Sequence, residues 1–413
     1  MTNHSRCSFQ VMSILAAGFI FLGTASATVA PTIRCVNSAS PACGASYATI
    51  QAAVTAASPG DVILVGPGTY NETVEVATGS LFLFGAQAGN DARSGRRNVR
   101  NESVVNAAGS GPLNAGFIVT ANNVVIDGFT IQGATGSANG SGIDLKGGVA
   151  NASGAKILND ILQNNSQALS LNFEGFAPVT NVIVEHNLFR NNSVVSGDGI
   201  FTSAADNVII DGNNFTGDPT AAVGINNSNN VTISGNQSNK DGTFVIITGT
   251  TNAQISNNRG KNFLSAADAF PGAGGAAVAI GGNNSHLNIH NNRFVRGGAF
   301  GVRVTNIFGG SANQDVKVSD NFVSGMAMAG LAVEAGMLNA GTILNNLLTR
   351  NKGDGIFIDT GNAGNLVSQN FARGNTGFDC DDASNGGGTL GTANTWLDNV
   401  GKASSPAGLC APR

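Results

Sequence analysis

Charge is scarce in this chain: only 11% of its 413 residues are Asp, Glu, Lys or Arg, and the formal balance is −4. No basic stripe stands out along the sequence, so nucleic acid is not an expected partner. One Trp and two Tyr leave few aromatic platforms on which sugar rings could stack. His186, His286 and His290 are the only histidines beyond the first few residues, and their spacing in strand-like segments does not suit a zinc site. No apolar run approaches the roughly twenty residues of a membrane span. Sustained 3.6-residue apolar faces are also missing from the middle of the chain. That excludes leucine-rich, ankyrin and tetratricopeptide arrays.

What the chain has in abundance is repetition. Asn187, Asn213, Asn236, Asn258, Asn292, Asn321, Asn346 and Asn370 each follow an aliphatic residue by three positions, at intervals of 26, 23, 22, 34, 29, 25 and 24 residues. A period in the twenties, kept over half the chain, means a solenoid. Short period-two alternations recur further along each repeat, as in Ile143-Asp144-Leu145, Val223-Gly224-Ile225 and Ile356-Phe357-Ile358. Such alternation marks strands with one face buried. The expected fold is all-β: a single-stranded right-handed parallel β-helix of ten or more coils, with handedness set by the crossover rule. Asn tolerates the left-handed backbone of a tight corner. Its amide can also donate to one coil and accept from another, so the eight asparagines are expected to form one structural ladder. Phe189, Phe215 and Phe294 should stack beside it.

The ends carry their own signals. Arg6, the apolar stretch Val11 to Leu22 and Ala25-Ser26-Ala27 read as an export signal over residues 1–27. Cleavage before Thr28 would make the protein secreted or periplasmic and leave Cys35, Cys43, Cys380 and Cys410. An even number of cysteines in an exported chain argues for disulfides. Of three pairings, Cys35–Cys43 with Cys380–Cys410 fits best, because each bond staples one end. Ile50, Ala53, Val54 and Ala57 fall at helical spacing before Pro59-Gly60, which predicts a short N-terminal capping helix. The expected layout is an N-terminal cap over 28–60, the β-helix over 61–375 and a C-terminal cap over 376–413, with Trp396 packing the last lid. The chain ends soon after Cys410, so neither an outer-membrane barrel nor a wall anchor is expected.

The stretch Tyr47-Ala-Thr-Ile-Gln-Ala-Ala-Val54, then Gly60-Asp-Val-Ile-Leu-Val65 and Gly68-Thr-Tyr70-Asn-Glu72, resembles the amino-terminal region of the pectin-lyase-like superfamily. The coils from Asn122 to Asn375 look like its generic right-handed β-helix repeat. The resemblance implies fold rather than chemistry, because such folds host lyases, hydrolases, esterases, epimerases, adhesins and binding proteins. The motifs of pectin methylesterases, polygalacturonase-like hydrolases and pectate lyases find no matching set in this sequence.

Several constellations are still candidates for chemistry. Counting outward from the ladder gives a column of Asp127, Leu158, Glu185, Asp211, Ser234, Ser256, His290 and Ser319. Glu185 and Asp211 would lie about one coil, near 5 Å, apart, a separation that suits a retaining glycosidase pair or calcium ligands. The same pair also reads as a solvated acidic face. Asp127 joins them as a catalytic candidate, with Lys156 as the nearest cation. A second column holds Lys146, Asn172, Ser203, Asn226, Thr248, Gly281, Thr305, Glu334 and Asp359, with Arg303 beside Glu334. Arg93, Arg96, Arg97 and Arg100 form a basic loop that could clamp an anionic polymer, or be only a soluble connection. The interval from Asn258 to Asn292, with Lys261, Asp268 and Pro271, predicts a projecting loop. Asp379-Cys-Asp381-Asp382-Ala-Ser-Asn385-Gly386 imitates a calcium loop but puts Ala383 at a ligand position. No cofactor or metal is therefore assigned, with calcium kept as a minor alternative. These residues favour a non-catalytic exported protein that binds a polysaccharide, cell-surface glycan or other surface. The alternative is a polysaccharide lyase or glycoside hydrolase.

Overall fold

The computed structural model describes residues 30–412 except 95, 97, 108–113, 136–139, 149–150, 173–176, 193–196 and 266–274. The expected export signal lies outside the described residues, as do Cys7, Arg97, Asp268 and Pro271. Among the described residues, short strands pair in parallel to form three long sheets of 16, 12 and 13 strands. One coil shows the path. Val179–Glu185 lies in the first sheet, Leu188–Arg190 in the second and Asp198–Thr202 in the third, before Ala205–Asp211 returns to the first. The winding is that of a right-handed parallel β-helix. Parallel pairing also extends past both expected boundaries: Ile33–Val36 pairs with Val62–Val65, and Leu366–Ser368 with Thr395–Leu397.

Apolar residues point inward from all three sheets and are almost wholly buried, which gives one elongated core. Burial of such side chains is worth roughly 1.5–3 kcal/mol each, so the core is the main stabilising element. Phe189 and Phe215 stack in it, with centroids 4.7 Å apart and planes 9° from parallel. Phe294 does not continue their stack, because Ser238 and Gly260 occupy the two intervening coils. Phe263 fills that space instead: a Cβ placed on Gly260 would stand 2.3 Å from its ring.

The corner between the first and second sheets is only two residues long, and the asparagine is its second residue. Asn187 Nδ2 donates to Ile157 O (2.9 Å) and to Asn213 Oδ1 (3.0 Å), and Asn187 N donates to the same Oδ1 (2.9 Å). The pattern repeats coil after coil to Asn370, which donates to Asn399. The column therefore runs one coil beyond the sequence expectation, and Asp160 N joins it at the other end. The left-handed residue is not the ladder asparagine but the one before it, as at His186 (φ 59°), Asn257 (φ 58°) and Gln369 (φ 55°). The ladder position thus requires an amide, while its predecessor bears the strained backbone.

At the amino end, helix α1 (Ile50–Thr55) buries Ile50, Ala53 and Val54 against the first coils. Thr49 Oγ1 accepts from Ala52 N (3.1 Å), and the Glu72 carboxylate accepts from Ile50 N and Gln51 N, satisfying the free amides of the first turn. Cys35 and Cys43 are joined. Cys380 and Cys410 differ from expectation. Both are buried free thiols, and the hydrogen bond that the Cys380 thiol donates to Cys410, helped by burial, pushes the Cys380 thiol far up. Trp396 is buried, and its Nε1 donates to Asp382 (2.7 Å).

Candidate functional site

The basic loop and the acidic column, read separately in the sequence, come together in space. The segment from Gly85 to Glu102 leaves the first–second corner in an early coil and runs along that corner as a strap. Gln87 N donates to Gly128 O, Gly89 N to Asp127 Oδ1, and Ala92 N to His186 O. Gly128 is required beneath it: a Cβ there would stand 2.0 Å from Ala88 N. Arg96 fastens the strap from inside. Its guanidinium pairs with Glu102 (2.7 Å) and donates to the carbonyls of Phe129, Asn90 and Asn159. Both side chains are 6% exposed. Arg96 is therefore a structural anchor rather than a free clamp for a polymer. Arg100 is exposed on the short turn Val99–Asn101.

The far end of the strap delivers Asp91 and Arg93 to the coils of Glu185 and Asp211. Arg93 pairs with Asp91 at 2.7 Å. That bond holds the Asp91 carboxyl below its usual range and lifts the guanidinium, to which Asp211 also contributes. A methyl group on Gly212 would lie 3.3 Å from Arg93 Nη1 and 3.4 Å from the His186 ring, so cation and imidazole converge over this corner. Glu185 and Asp211 stand opposite each other on paired strands, and Asp211 is opposite Ser234. Ser234 Oγ donates to Asp211 Oδ1 at 2.6 Å. Glu185 and Asp211 are both partly exposed.

Other candidates fall elsewhere. Asp127 is only 5% exposed, lies under the strap, and accepts from Gly89 N and Asn159 Nδ2. Burial raises its pKa, and it is a structural acceptor rather than a partner to Glu185. Lys156 is exposed beside Val125 and Ile183, a different outward row from Leu158 and Glu185. Arg303 is neutralised by Glu334, which also accepts from Thr305 Oγ1 and Asn306 N. Asp144 and Lys146 pair at 2.7 Å on the third sheet. Within the carboxy-terminal cap, Asp379 accepts from Lys402 N and Asn375 Nδ2. Asp382 is taken up by Ser384, Asn394 and Trp396. Among the described residues, no cluster of three or more His, Cys, Asp or Glu side chains could hold a metal ion. Asp91 and His186 are the two groups at this corner that sequence reasoning did not place there. Only the αL position of His186, one residue before a ladder asparagine, could have placed the imidazole at the corner.

Comparison with known proteins agrees on architecture. Residues 197–372 match the family model described as a right handed beta helix region. No curated protein matches the chain. Among solved structures, one similar fold is the catalytic unit of a GH87 α-1,3-glucanase from Streptomyces thermodiastaticus (TM-score 0.62, 13% identity, 86% of this chain and 66% of that one). This chain therefore spans just under two thirds of that unit. Another is a mannuronic acid specific polysaccharide family 6 lyase from human gut microbiota (TM-score 0.54, 13% identity, 84% and 82% coverage). A third is a DFA-IIIase from Arthrobacter chlorophenolicus (TM-score 0.50, 16% identity, 75% and 83% coverage).

Proposed function

We propose that this right-handed parallel β-helix, of the pectin-lyase-like kind, cleaves a polysaccharide at the corner where the strap meets Glu185 and Asp211. The supporting observation is the convergence of Arg93 and His186 over Gly212, beside Asp211, which adjacent strands hold in register with Glu185. Glycosidic cleavage needs a proton donor, a base or nucleophile, and a group that stabilises developing charge. In a hydrolase, one of Glu185 and Asp211 protonates the leaving oxygen while the other acts at the sugar carbon. In a lyase, His186 or one carboxylate takes the proton beside a uronate carboxyl while Arg93 offsets the charge that develops there. The glycosidic C–O bond then breaks as the C=C bond forms, and the other acid protonates the leaving oxygen. Similar folds in a glucanase and a polysaccharide lyase make cleavage a better-supported reading than passive binding. The fold alone is shared at these identities, so the named residues carry the proposal.

The test is a panel of neutral and acidic glycans, assayed for new reducing ends and for unsaturated ends. Cleavage is expected, with at least about a hundredfold loss in Glu185→Gln/Asp211→Asn. Unsaturated ends would assign lyase chemistry, and reducing ends alone would assign hydrolysis. Absence of cleavage across the panel, or full activity in the double variant, would overturn the proposal.

A further inference from the structure

The second sheet has a face that the sequence conceals. Arg259 and Arg293 are opposite each other in register, followed along the same row by Phe322, Leu347 and Phe371. The adjacent row carries Lys261, Val295, Ser324, Thr349 and Arg373. Beside it, Arg296 and Arg350 stand at the turn that leaves the sheet. Arg259, Lys261, Arg293, Arg296, Arg350 and Arg373 are all exposed, although the chain as a whole has a formal charge of −4. Asp320, at the corner where the chain enters this sheet, is engaged by Asn345 Nδ2. Two adjoining grooves, of about 380 Å³ and 510 Å³, share Phe322, Ser324 and Arg350 as walls. The Arg293 guanidinium carbon lies over the Phe322 ring, 4.1 Å from its centroid.

Two features mark this as a binding surface rather than scattered charge. Like charges opposite each other on paired strands repel, yet Arg259 and Arg293 are juxtaposed, and neither forms an ion pair among the described residues. The turn leaving the sheet is left-handed in coil after coil. Gly133, Asn164, Asn191, Gly217, Asn262, Gly325 and Gly374 meet that demand with residues suited to it. The exceptions in the column are Lys240, Arg296 and Arg350, and all are basic. A long side chain in the left-handed region is a cost to folding, and two of the three, Arg296 and Arg350, add a cation to the groove wall.

We infer that this face binds an anionic polysaccharide, a polyuronate being the simplest class, laid along the helix axis. Coils rise by about 4.8 Å, and four of these five coils present a cation, the coil of Phe322 and Ser324 being the exception, so the row can meet an acidic polymer bearing one carboxylate per sugar. Duplex DNA presents a charge every ~1.7 Å and matches that spacing less well. Phe322, Leu347 and Phe371 offer the apolar row against which sugar rings pack. This surface is separate from the strap corner and does not depend on the function proposed there.

The test is affinity electrophoresis of the intact protein in polygalacturonate gels at low and physiological salt, with dextran and single- and double-stranded DNA as comparisons. Retardation by polygalacturonate alone is expected, weakening with salt. Arg293→Gln/Arg296→Gly/Arg350→Gly should lower affinity at least tenfold while leaving the thermal midpoint equal or higher, because glycine relaxes both left-handed turns. Glu185→Gln/Asp211→Asn should bind normally. No retardation by polygalacturonate would overturn the inference, as would equal retardation by DNA or unchanged binding in the arginine variant. Loss of binding in the strap-corner variant would overturn the placement.

Discussion

Two side-chain columns share one geometry and differ in a single atom type. In the column of Asn187 to Asn399, each amide nitrogen donates to the next oxygen, and every member is neutral at any pH. The shorter column at the next corner runs Asn165, Asn192, Asp218 and Asp241. Asn192 donates twice to Asp218 Oδ1 and Asp218 N donates to Asp241 Oδ1, but Asp218 Oδ2 has no partner among the described residues. Where an amide would place N–H, the acid must hold a proton. Burial, followed by the neighbouring Asp241, pushes Asp218 well above the usual carboxyl range. Burial pushes Asp241 up to about 7, and nearby Asp198 up to about 8. The amide column stabilises unconditionally, whereas the acid column stabilises only while it is protonated.

The largest effect should come from breaking the amide column at its middle. Asn258 is fully buried, accepts from Asn236 N and Nδ2, and donates to Ile233 O and Asn292 Oδ1. Asn258→Leu leaves several buried partners unsatisfied and should cost about 3 kcal/mol in denaturant unfolding. An unchanged midpoint would mean the column contributes nothing.

A smaller effect, of opposite sign, is expected at the acid column. A carboxyl whose folded pKa is raised binds more protons folded than unfolded. Its contribution is complete below the unfolded value near 4 and disappears as pH rises through about 7 to 8. Wild-type stability should therefore decline over that window. Asp218→Asn restores an amide and should flatten the decline, adding about 1–2 kcal/mol at pH near 8 and little at pH near 4. Parallel pH curves for the two proteins would refute the conditional reading.

The smallest change is expected at Asp160, the lone acid heading the amide column. Its Oδ1 accepts from Phe129 N, its Oδ2 is unpartnered, and burial raises it well above the ordinary carboxyl range. Asp160→Asn should stabilise the fold at neutral pH by roughly 0.5–1 kcal/mol, read as a higher thermal midpoint. A lower midpoint would show that the acid is preferred there.

How much of this was legible in the sequence depended on periodicity. The Asn187–Asn370 spacing declared the coils, and counting outward from it placed Glu185 opposite Asp211. The strap was not legible, because carbonyls of Phe129 and Asn159 fix Arg96, and no local pattern announces such distant acceptors. The basic face was hidden by distance. Arg259, Arg293, Arg350 and Arg373 are separated by whole coils of unequal length, and only three-dimensional register lines them up. Asp218 and Asp241 carry no mark in the sequence that separates them from ordinary turn residues; only their burial does.

The two-residue corner also governs where this architecture can change. Wherever the amide column passes, an inserted residue would pull one asparagine out of line and strand its neighbours on both sides. Coils that vary between 22 and 34 residues must therefore take up the difference at other corners. The strap leaves this edge only in a coil that precedes the column. For anyone wishing to graft a loop onto the scaffold, the ladder marks the forbidden edge, and the exits from the second and third sheets are the open ones.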